Sequence, residues 1–134
     1  MAVELIRSGR LSQAVPYAYA AVAPPGGLIF TAGACPIDKD DQVVGLGDVA
    51  MQARQVMDNL VQALAAAGAD LTDVLKTTVY VASSDGKDLL TAWDVVRTAF
   101  GDHDAPSTLL GVAVLGYSGQ LVEVEAVALA KPGP

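Results

Sequence analysis

The chain is 134 residues long, a length typical of one folded unit, so we expect residues 1–134 to form a single domain. Hydrophobic residues make up 52% of it and the mean hydropathy is +0.41, so we expect a homo-oligomer that buries the apolar excess between its copies. The net charge of −7 and the isoelectric point near 4.3 oppose binding to phosphate backbones and anionic lipid, and we expect no nucleic-acid partner and no membrane partner.

The N-terminal sequence and the cysteine content bear on the location of the protein and on the disulfide and metal chemistry open to it. The first ten residues lack the apolar centre of a signal peptide, and no run approaches the ~20 apolar residues of a membrane helix, so we expect a cytoplasmic location. Cys35 is the single cysteine and His103 the single histidine, which excludes an intrachain disulfide and a zinc site built from several such ligands. We expect a buried, inert Cys35 thiol and a solvated His103 in its polar turn.

The first half of the chain predicts three strands followed by a helix. The strands are expected near residues 3–7, 17–23 and 28–34, with a turn at 24–27 that makes a β-meander. Asp48 is the expected N-cap of the helix, and Gly68 follows its end as a left-handed residue. The helix is expected to bury an apolar stripe and to keep Gln52 among its polar residues; the stripe comprises Val49, Ala53, Val56, Leu60, Leu64 and Ala67.

The second half predicts a strand over 76–82, a helix over 87–101 and two final strands within 105–130, joined by a hairpin at a glycine-rich turn. The second helix is expected to turn inward Leu89, Leu90, Trp93, Val96 and Phe100. The order βββαβαββ indicates an α+β fold, a mixed sheet with two helices on one face. We expect the opposite face to be an apolar patch that associates with other copies.

The last strand places two carboxylates within apolar alternation. In "LVEVEAVALA", Glu123 and Glu125 point to one side, together with Val127 and Leu129. A carboxylate in a covered sheet is costly unless it is hydrogen-bonded, ion-paired or part of a functional pocket. For Glu123 a water-orienting base and a structural carboxylate both remain open, whereas Glu125 is expected to be structural.

Four blocks together resemble the reactive-intermediate deaminase (Rid) family, also called the YjgF or L-PSP endoribonuclease family. They are "AVPYAYAAV", "LIFTAGACPI", "AMQARQVMDNLVQALAAAGADLTDVLKTTVYV" and "QLVEVEAVALA", and the resemblance covers roughly residues 3–131. It implies a chorismate-mutase-like fold and a homotrimer with small-molecule clefts between subunits. It also implies hydrolysis of enamines and imines to 2-oxo acids and ammonia without cofactor or metal, with an arginine binding the substrate carboxylate and a glutamate positioning water.

Only some of these family roles have a matching residue in this sequence. Glu123 matches the water-positioning glutamate, and Tyr17 matches a pocket tyrosine. Thr108 stands where the deaminase branch has its arginine, and Leu110 where a cysteine is frequent. The expected substrate-binding residues are Tyr17, Ala32, Gly33, Trp93, Thr108 and Leu110, of which Ala32 replaces a serine and Trp93 falls near a common asparagine. Trp93 alternatively belongs to the helix core.

Three functions follow from this comparison of residues. The first is hydrolysis of an imine, enamine or related C=N bond through Glu123 and water, with poor activity on 2-imino acids because a threonine hydroxyl replaces the arginine fork. The second is a non-catalytic metabolite-binding trimer. The third, an endoribonuclease, is opposed by the acidic charge. Among the arginines, Arg10 is the best candidate to replace the missing one.

Overall fold

The computed structural model describes residues 3–7, 9–10, 13–14 and 16–131. Its strands and helices confirm the predicted order, with a short 3₁₀ turn at Leu71–Asp73 before the fourth strand. In chain order they are β1 (Glu4–Ile6), β2 (Ala20–Val22), β3 (Leu28–Phe30), α1 (Val49–Ala66), β4 (Val74–Val81), α2 (Gly86–Phe100), β5 (Ser107–Gly111) and β6 (Val122–Leu129).

The strands form a two-stranded sheet, β1–β2, and a four-stranded mixed sheet in the order β3–β6–β4–β5. The predicted meander is wrong, because β2 pairs with β1 while β3 pairs antiparallel with β6, Leu28 opposite Leu129. Pro24 and Pro25 lie between β2 and β3 and supply no backbone N–H, so they interrupt the ladder that a meander requires. The N-terminal strands therefore belong to two sheets.

The predicted hairpin of the last two strands is also wrong. β5 runs parallel to β4 and β6 runs antiparallel to it along its other edge, so β4 separates them. Helix α2 forms the crossover that a parallel β4–β5 pair needs, which fixes β5 at the edge of the sheet. The connection over 112–121 then crosses to the other side of β4.

Helix α1 begins as predicted. The Asp48 carboxylate accepts a hydrogen bond from the Met51 amide at 3.0 Å, and Gly68 follows the helix with a φ of 83°. Two expectations about its faces are wrong: Ala67 is exposed, whereas Gln52 is fully buried. Gln52 is accommodated there because its amide bonds to backbone groups of neighbouring loops.

Helix α2 begins after Asp85, whose carboxylate accepts from the Lys87 amide at 2.9 Å. Val96 is buried and Trp93 half-buried, as expected of an inward face. Leu90 is 61% exposed, against the prediction. It lies one residue beyond Leu89, a rotation of about 100° that takes it off the apolar stripe.

Both helices pack on one face of the four-stranded sheet, which confirms the predicted fold class. The core lies between them and includes Val79, Val81, Val122 and Val124, all fully buried. Within the described part of the chain, no helix combines the length and apolar character needed to cross a bilayer.

The face of this sheet opposite the helices is called here the open face. It is less apolar than predicted, because polar side chains from β4, β5 and β6 occupy its centre while apolar ones lie mainly at its margins. The pairing register assigns to it Leu28, Phe30, Lys76, Thr78, Tyr80, Thr108, Leu110, Glu123, Glu125, Val127 and Leu129.

Candidate functional site

Glu123 is held on the open face by the strand that carries it. Its neighbours Val122 and Val124 are fully buried beneath the helices, so alternation along β6 directs the half-buried Glu123 side chain to the other side. Two side chains donate to its Oε1 atom: the Cys35 thiol, at an Sγ–Oε1 distance of 3.3 Å, and the Gln120 amide nitrogen, at 3.2 Å. The carboxylate is therefore oriented by neutral donors.

Gly33 makes room for this carboxylate. Beyond β3 the chain bulges and returns to β6 at Ala34, whose amide donates to the Val124 carbonyl at 2.8 Å. A Cβ atom on Gly33 would overlap Oε2 of Glu123. Glycine is thus required by packing at this position, and we define the Glu123 cluster as Glu123, Gly33, Cys35 and Gln120.

Side-chain amides of Gln120 and Asn59 fix the two donors of the cluster. Gln120 is 3% exposed; its side-chain nitrogen also donates to the Val122 carbonyl at 3.0 Å, and its oxygen accepts from the Tyr117 amide at 3.1 Å. The Asn59 side-chain nitrogen donates to the Cys35 carbonyl at 2.8 Å and holds the segment that follows β3. Both donors are thereby preorganised around Glu123.

The thiol of Cys35 remains protonated near neutral pH. Burial raises its pKa to about 11, and its hydrogen bond to Glu123 and the charge of that carboxylate add to the effect, against a smaller opposing contribution from Gln120. A protonated thiol is a weak donor and a poor nucleophile. Sequence reasoning gave Cys35 an inert, buried role; it is half-buried and contacts Glu123.

Glu125, two residues along the same face, has a protein partner of its own. The Tyr80 hydroxyl donates to its Oε1 atom, and this hydrogen bond is the main cause that raises the pKa of Tyr80, followed by burial and the charges of Glu125 and Glu123. A carboxylate bonded to a tyrosine of the same sheet fits the structural role expected of Glu125.

A second group of site residues lines a groove at the edge strand β5. The groove has a volume of about 400 Å³ and brings Tyr17 and Thr108 together. Lys76 also lines it: its Nζ atom donates to Thr108 Oγ1 at 2.6 Å and to the Thr77 carbonyl at 3.1 Å. We call this the Thr108 groove; its lining is Tyr17, Ala18, Tyr19, Ala21, Leu75, Lys76, Pro106, Ser107 and Thr108.

Lys76 was missed because only arginines were considered as replacement cations. Strand alternation carries the necessary signal: in "KTTVY", Lys76, Thr78 and Tyr80 share a face, and Thr78 pairs with Thr108. Arg10 is exposed and does not line the Thr108 groove. Gln120 carried no comparable signal, since its contact depends on how the loop before β6 folds.

The remaining predicted residues lie in different places. Ala32 is exposed in the bulge after β3, and Leu110 is 41% exposed opposite Tyr80. Trp93 lies on the helix-covered side of the sheet, packed against the core and lining a cavity of about 240 Å³ with His103. Within one chain, Trp93 is therefore separated by the sheet from the Glu123 cluster.

His103 corrects a further expectation. Its ring is half-buried, and Nε2 lies 2.7 Å from the Val74 carbonyl oxygen, so it is not a solvated histidine. Because a carbonyl oxygen can only accept, Nε2 carries the proton that is donated to it. This contact ties the turn after α2 to the start of β4.

The Glu123 cluster and the Thr108 groove are separated on the open face. Thr108 pairs with Thr78, which pairs with Glu125, whereas Glu123 lies opposite Tyr80. Glu123 and Thr108 are two strands apart across the sheet and two residues apart along it. Their Cα atoms are therefore roughly 12 Å apart.

Comparison with known proteins agrees with this fold and its residues. The family model described as Endoribonuclease L-PSP matches residues 8–130, and the chain belongs to this family, the Rid or YjgF family. A RutC family protein of Pyrococcus horikoshii is 36% identical over 113 residues, which is 84% of this chain and 86% of that protein.

Two further relatives extend the comparison. The 2-iminobutanoate/2-iminopropanoate deaminase of Rattus norvegicus is 35% identical over 104 residues, covering 78% of this chain and 74% of that enzyme. The crystal structure of YyfB from Yersinia pestis, a Rid-family protein of unknown function, superimposes with a TM-score of 0.88 at 28% identity, covering 96% of this chain and 99% of that chain. A function related to imine deamination is therefore supported in general terms.

Proposed function

We propose that the protein hydrolyses a C=N bond of a small imine or enamine with Glu123 and a water molecule, without a cofactor. The observation that most directly supports this proposal is the orientation of the Glu123 carboxylate by Cys35 and Gln120, both of which donate to Oε1. Within the described residues no hydrogen bond occupies Oε2, so this atom is available to accept a proton from water. Family membership and the curated deaminases among the relatives supply the reaction class.

The chemistry needs one water and releases ammonia. Water attacks the imine carbon as Oε2 of Glu123 takes its proton, giving a carbinolamine. Glu123 returns that proton to the nitrogen. Glu123 then carries the hydroxyl proton to the nitrogen as the carbon–nitrogen bond breaks, and the products are a carbonyl compound and ammonia. An enamine enters the same path after protonation to its imine.

The proposal places the reaction in a cleft between copies of a homotrimer. The Cα atoms of Glu123 and Thr108 are roughly 12 Å apart within one chain, and the proposal pairs the Glu123 cluster of one copy with the Thr108 groove of its neighbour. Apolar side chains on the open face support association, since Phe30 is 72% exposed and Leu28 is 49% exposed. A cytoplasmic location belongs to the same proposal.

Thr108 sets the expected specificity. An arginine fork binds a carboxylate through two charge-assisted hydrogen bonds, and replacing it by a neutral hydroxyl costs about 3 kcal/mol, roughly a hundredfold in binding. The protein is therefore expected to act less efficiently on 2-iminobutanoate and 2-iminopropanoate than a relative that keeps the arginine.

Replacement of Glu123 tests the proposed reaction. Imine consumption is followed by competition with semicarbazide, using wild-type protein, Glu123→Gln and the control Glu125→Gln, whose amide oxygen still accepts from Tyr80. The expected loss is about a hundredfold for Glu123→Gln and less than about threefold for the control. Equal rates for Glu123→Gln and wild type would contradict the role of Glu123.

The replacement of the arginine by Thr108 also favours a second candidate function. In it the protein is a non-catalytic trimer that binds a metabolite in the same cleft. It predicts that the wild-type protein consumes no imine and that Glu123→Gln changes only ligand affinity. The ribonuclease named in the family description is the least favoured function, because a net charge of −7 repels RNA. RNA cleavage by pure protein that is lost on a cleft substitution would revive it.

A further inference from the structure

A cavity on the helix-covered side of the sheet lies outside the candidate site. Its volume is about 240 Å³, and it lies between the second half of α2 and the turn that joins this helix to β5. Thr77, a buried residue of β4, lines it from the sheet. We call it the Trp93 cavity. Its lining shares no residue with the Glu123 cluster or with the Thr108 groove, so it is a separate space in the fold.

The walls of the Trp93 cavity are mainly aromatic and apolar. The half-buried rings of Trp93 and Phe100 and the buried side chain of Val96 line it from α2. The His103 ring lies next to Phe100, with 6.4 Å between the ring centroids and an angle of 30° between the ring planes. Walls of this kind favour a flat apolar ligand. The volume lies below the range of about 300 to 1,000 Å³ typical of sites for drug-sized ligands, which limits the ligand to a single ring.

Two polar atoms of this lining have no partner within the described residues. The indole N–H of Trp93 makes no hydrogen bond there. The Nε2 atom of His103 donates to the Val74 carbonyl at 2.7 Å, which leaves Nδ1 of the neutral ring as an acceptor. Solvent reaches both atoms, since no buried side-chain nitrogen or oxygen of the described residues lacks a partner. The two side chains together offer one donor and one acceptor to a ligand.

The charged side chains of the lining do not select a charged ligand. The Asp104 carboxylate pairs with Arg7. Arg97 and Asp102 are both exposed and carry opposite charges, so water screens each of them and their effects on a ligand oppose one another. The half-buried part of the lining is therefore neutral, and transfer of a charged molecule into it from water is unfavourable.

We propose that the Trp93 cavity binds a small uncharged aromatic molecule that carries one hydrogen-bond donor and one acceptor, as a primary carboxamide does. The carbonyl oxygen of the ligand accepts from the Trp93 indole N–H, and its N–H donates to Nδ1 of His103. The ring of the ligand packs on Phe100 and Val96. This site goes beyond the proposed hydrolysis and does not depend on it, because the sheet separates the cavity from Glu123.

Benzamide is the probe that tests this site, because it combines a single ring with a primary amide. Acetophenone has nearly the same shape and keeps the carbonyl acceptor, but a methyl group replaces the amino group. Benzoate and benzylamine are the anionic and cationic counterparts. Trp93 is the single tryptophan of the sequence, so selective excitation of its fluorescence reports binding beside it. Calorimetry measures the affinities of the variants.

Three variants separate the Trp93 cavity from other places where benzamide could bind. Trp93→Phe keeps an aromatic wall and removes the indole N–H. Leu90→Ala is the matched control on the same helix, because Leu90 is 61% exposed and does not line the cavity. Glu123→Gln controls for binding at the candidate site on the open face. Thermal unfolding confirms that each variant is folded before it is titrated.

Benzamide is expected to bind saturably to the wild-type protein and to change the emission of Trp93. Its affinity falls about fivefold in Trp93→Phe, the effect of one neutral hydrogen bond, and stays within about twofold in Leu90→Ala and Glu123→Gln. Acetophenone, benzoate and benzylamine bind the wild type at least about fivefold more weakly than benzamide. Acetophenone lacks the donor to His103, and the other two carry a charge into a neutral site.

The inference is overturned if the wild type shows no saturable binding of benzamide, or if wild type and Trp93→Phe bind it equally. It is also overturned if acetophenone, benzoate or benzylamine binds as tightly as benzamide, because the donor and acceptor would then not select the ligand. A benzamide affinity that changes in Glu123→Gln would place the probe at the candidate site and would equally contradict the inference.

Discussion

Cys35 and Glu123 form an acid pair in which each group influences the other. The thiol donates to the carboxylate, and the carboxylate in turn makes loss of the thiol proton unfavourable, beyond what burial does alone. The pair keeps a neutral donor on Oε1 throughout the neutral pH range. Both donors are directed at Oε1, so Oε2 is the carboxylate atom that accepts a proton from water in the proposed reaction.

Replacing Glu123 is expected to lower the pKa of Cys35. Glu123→Gln removes the negative charge and the carboxylate acceptor while burial remains, so the pKa falls from about 11 toward, but not to, 9.0. The rate of thiol modification by a disulfide reagent, measured against pH, reports this value. Glu125→Gln is the control, because Glu125 bonds to Tyr80 and has no contact with the thiol. An unchanged Cys35 pKa in Glu123→Gln would contradict the pairing.

The same shift predicts a pH dependence of stability. Because the folded thiol titrates near pH 11 and the unfolded thiol near 9.0, the unfolded state loses its proton first. The contribution of Cys35 to the free energy of unfolding is therefore complete below pH 9 and is lost as pH rises toward 11. Urea unfolding of wild type and Cys35→Ala over this range is expected to converge as pH rises; a constant difference would contradict it.

Among the structural elements, α1 supports the loop that delivers β6 to the site. The Gln52 side chain accepts from the Leu121 amide at 2.7 Å and donates to the carbonyls of Gly45 and Gly119 at 3.2 and 3.0 Å. Two of these bonds are made to Gly119 and Leu121, the residues on either side of Gln120. Gln120 is one of the two donors to Glu123. A fully buried amide thus connects the helix to the geometry of the carboxylate.

Gln52→Leu is expected to destabilise the fold because it removes the side-chain partner of three backbone groups, those of Gly45, Gly119 and Leu121, a loss of about 3 kcal/mol in the free energy of unfolding. Gln62→Leu, at an exposed position of the same helix, is the matched control and is expected to change the free energy by less than about 0.5 kcal/mol. Urea denaturation measures both variants. Equal stability of Gln52→Leu and wild type would show that these hydrogen bonds contribute nothing net.

The elements also show which features the sequence could predict. The start of α1 at Asp48 and its left-handed end at Gly68 depend on local signals, and both are confirmed. The pairing of β5 with β4 and of β3 with β6 depends on tertiary contacts between distant segments, and the local turns suggested hairpins that do not form.

In the candidate site, too, some residues could be identified from the sequence, whereas others depend on tertiary contacts. The family resemblance singled out Glu123 and Thr108, and the structure gives each a defined surrounding. The contacts of Cys35 and Gln120 with Glu123 could not be predicted, because they arise where a bulge and a loop meet. The Lys76–Thr108 contact follows from the β4–β5 register, which the predicted topology lacked.

For the whole molecule, the proposal depends on how copies meet. The open face carries exposed Phe30 and Leu28 at one margin and the Thr108 groove at the other, with the Glu123 cluster near β3. Closed assemblies repeat one contact around a symmetry axis, so in the proposed trimer the margin of one copy would meet the groove of the next at every seam. Under this proposal, each complete cleft needs two chains.

Complementation between two inactive variants tests this shared cleft most directly. Glu123→Gln removes the base, and Thr108→Trp fills the exposed mouth of the groove; each variant alone is expected to lose activity. When the two chains are unfolded and refolded together in equal amounts, one seam in four combines an intact Glu123 with an open groove, so about a quarter of the wild-type rate returns. A mixture no more active than the separate variants would contradict a catalytic cleft shared between copies.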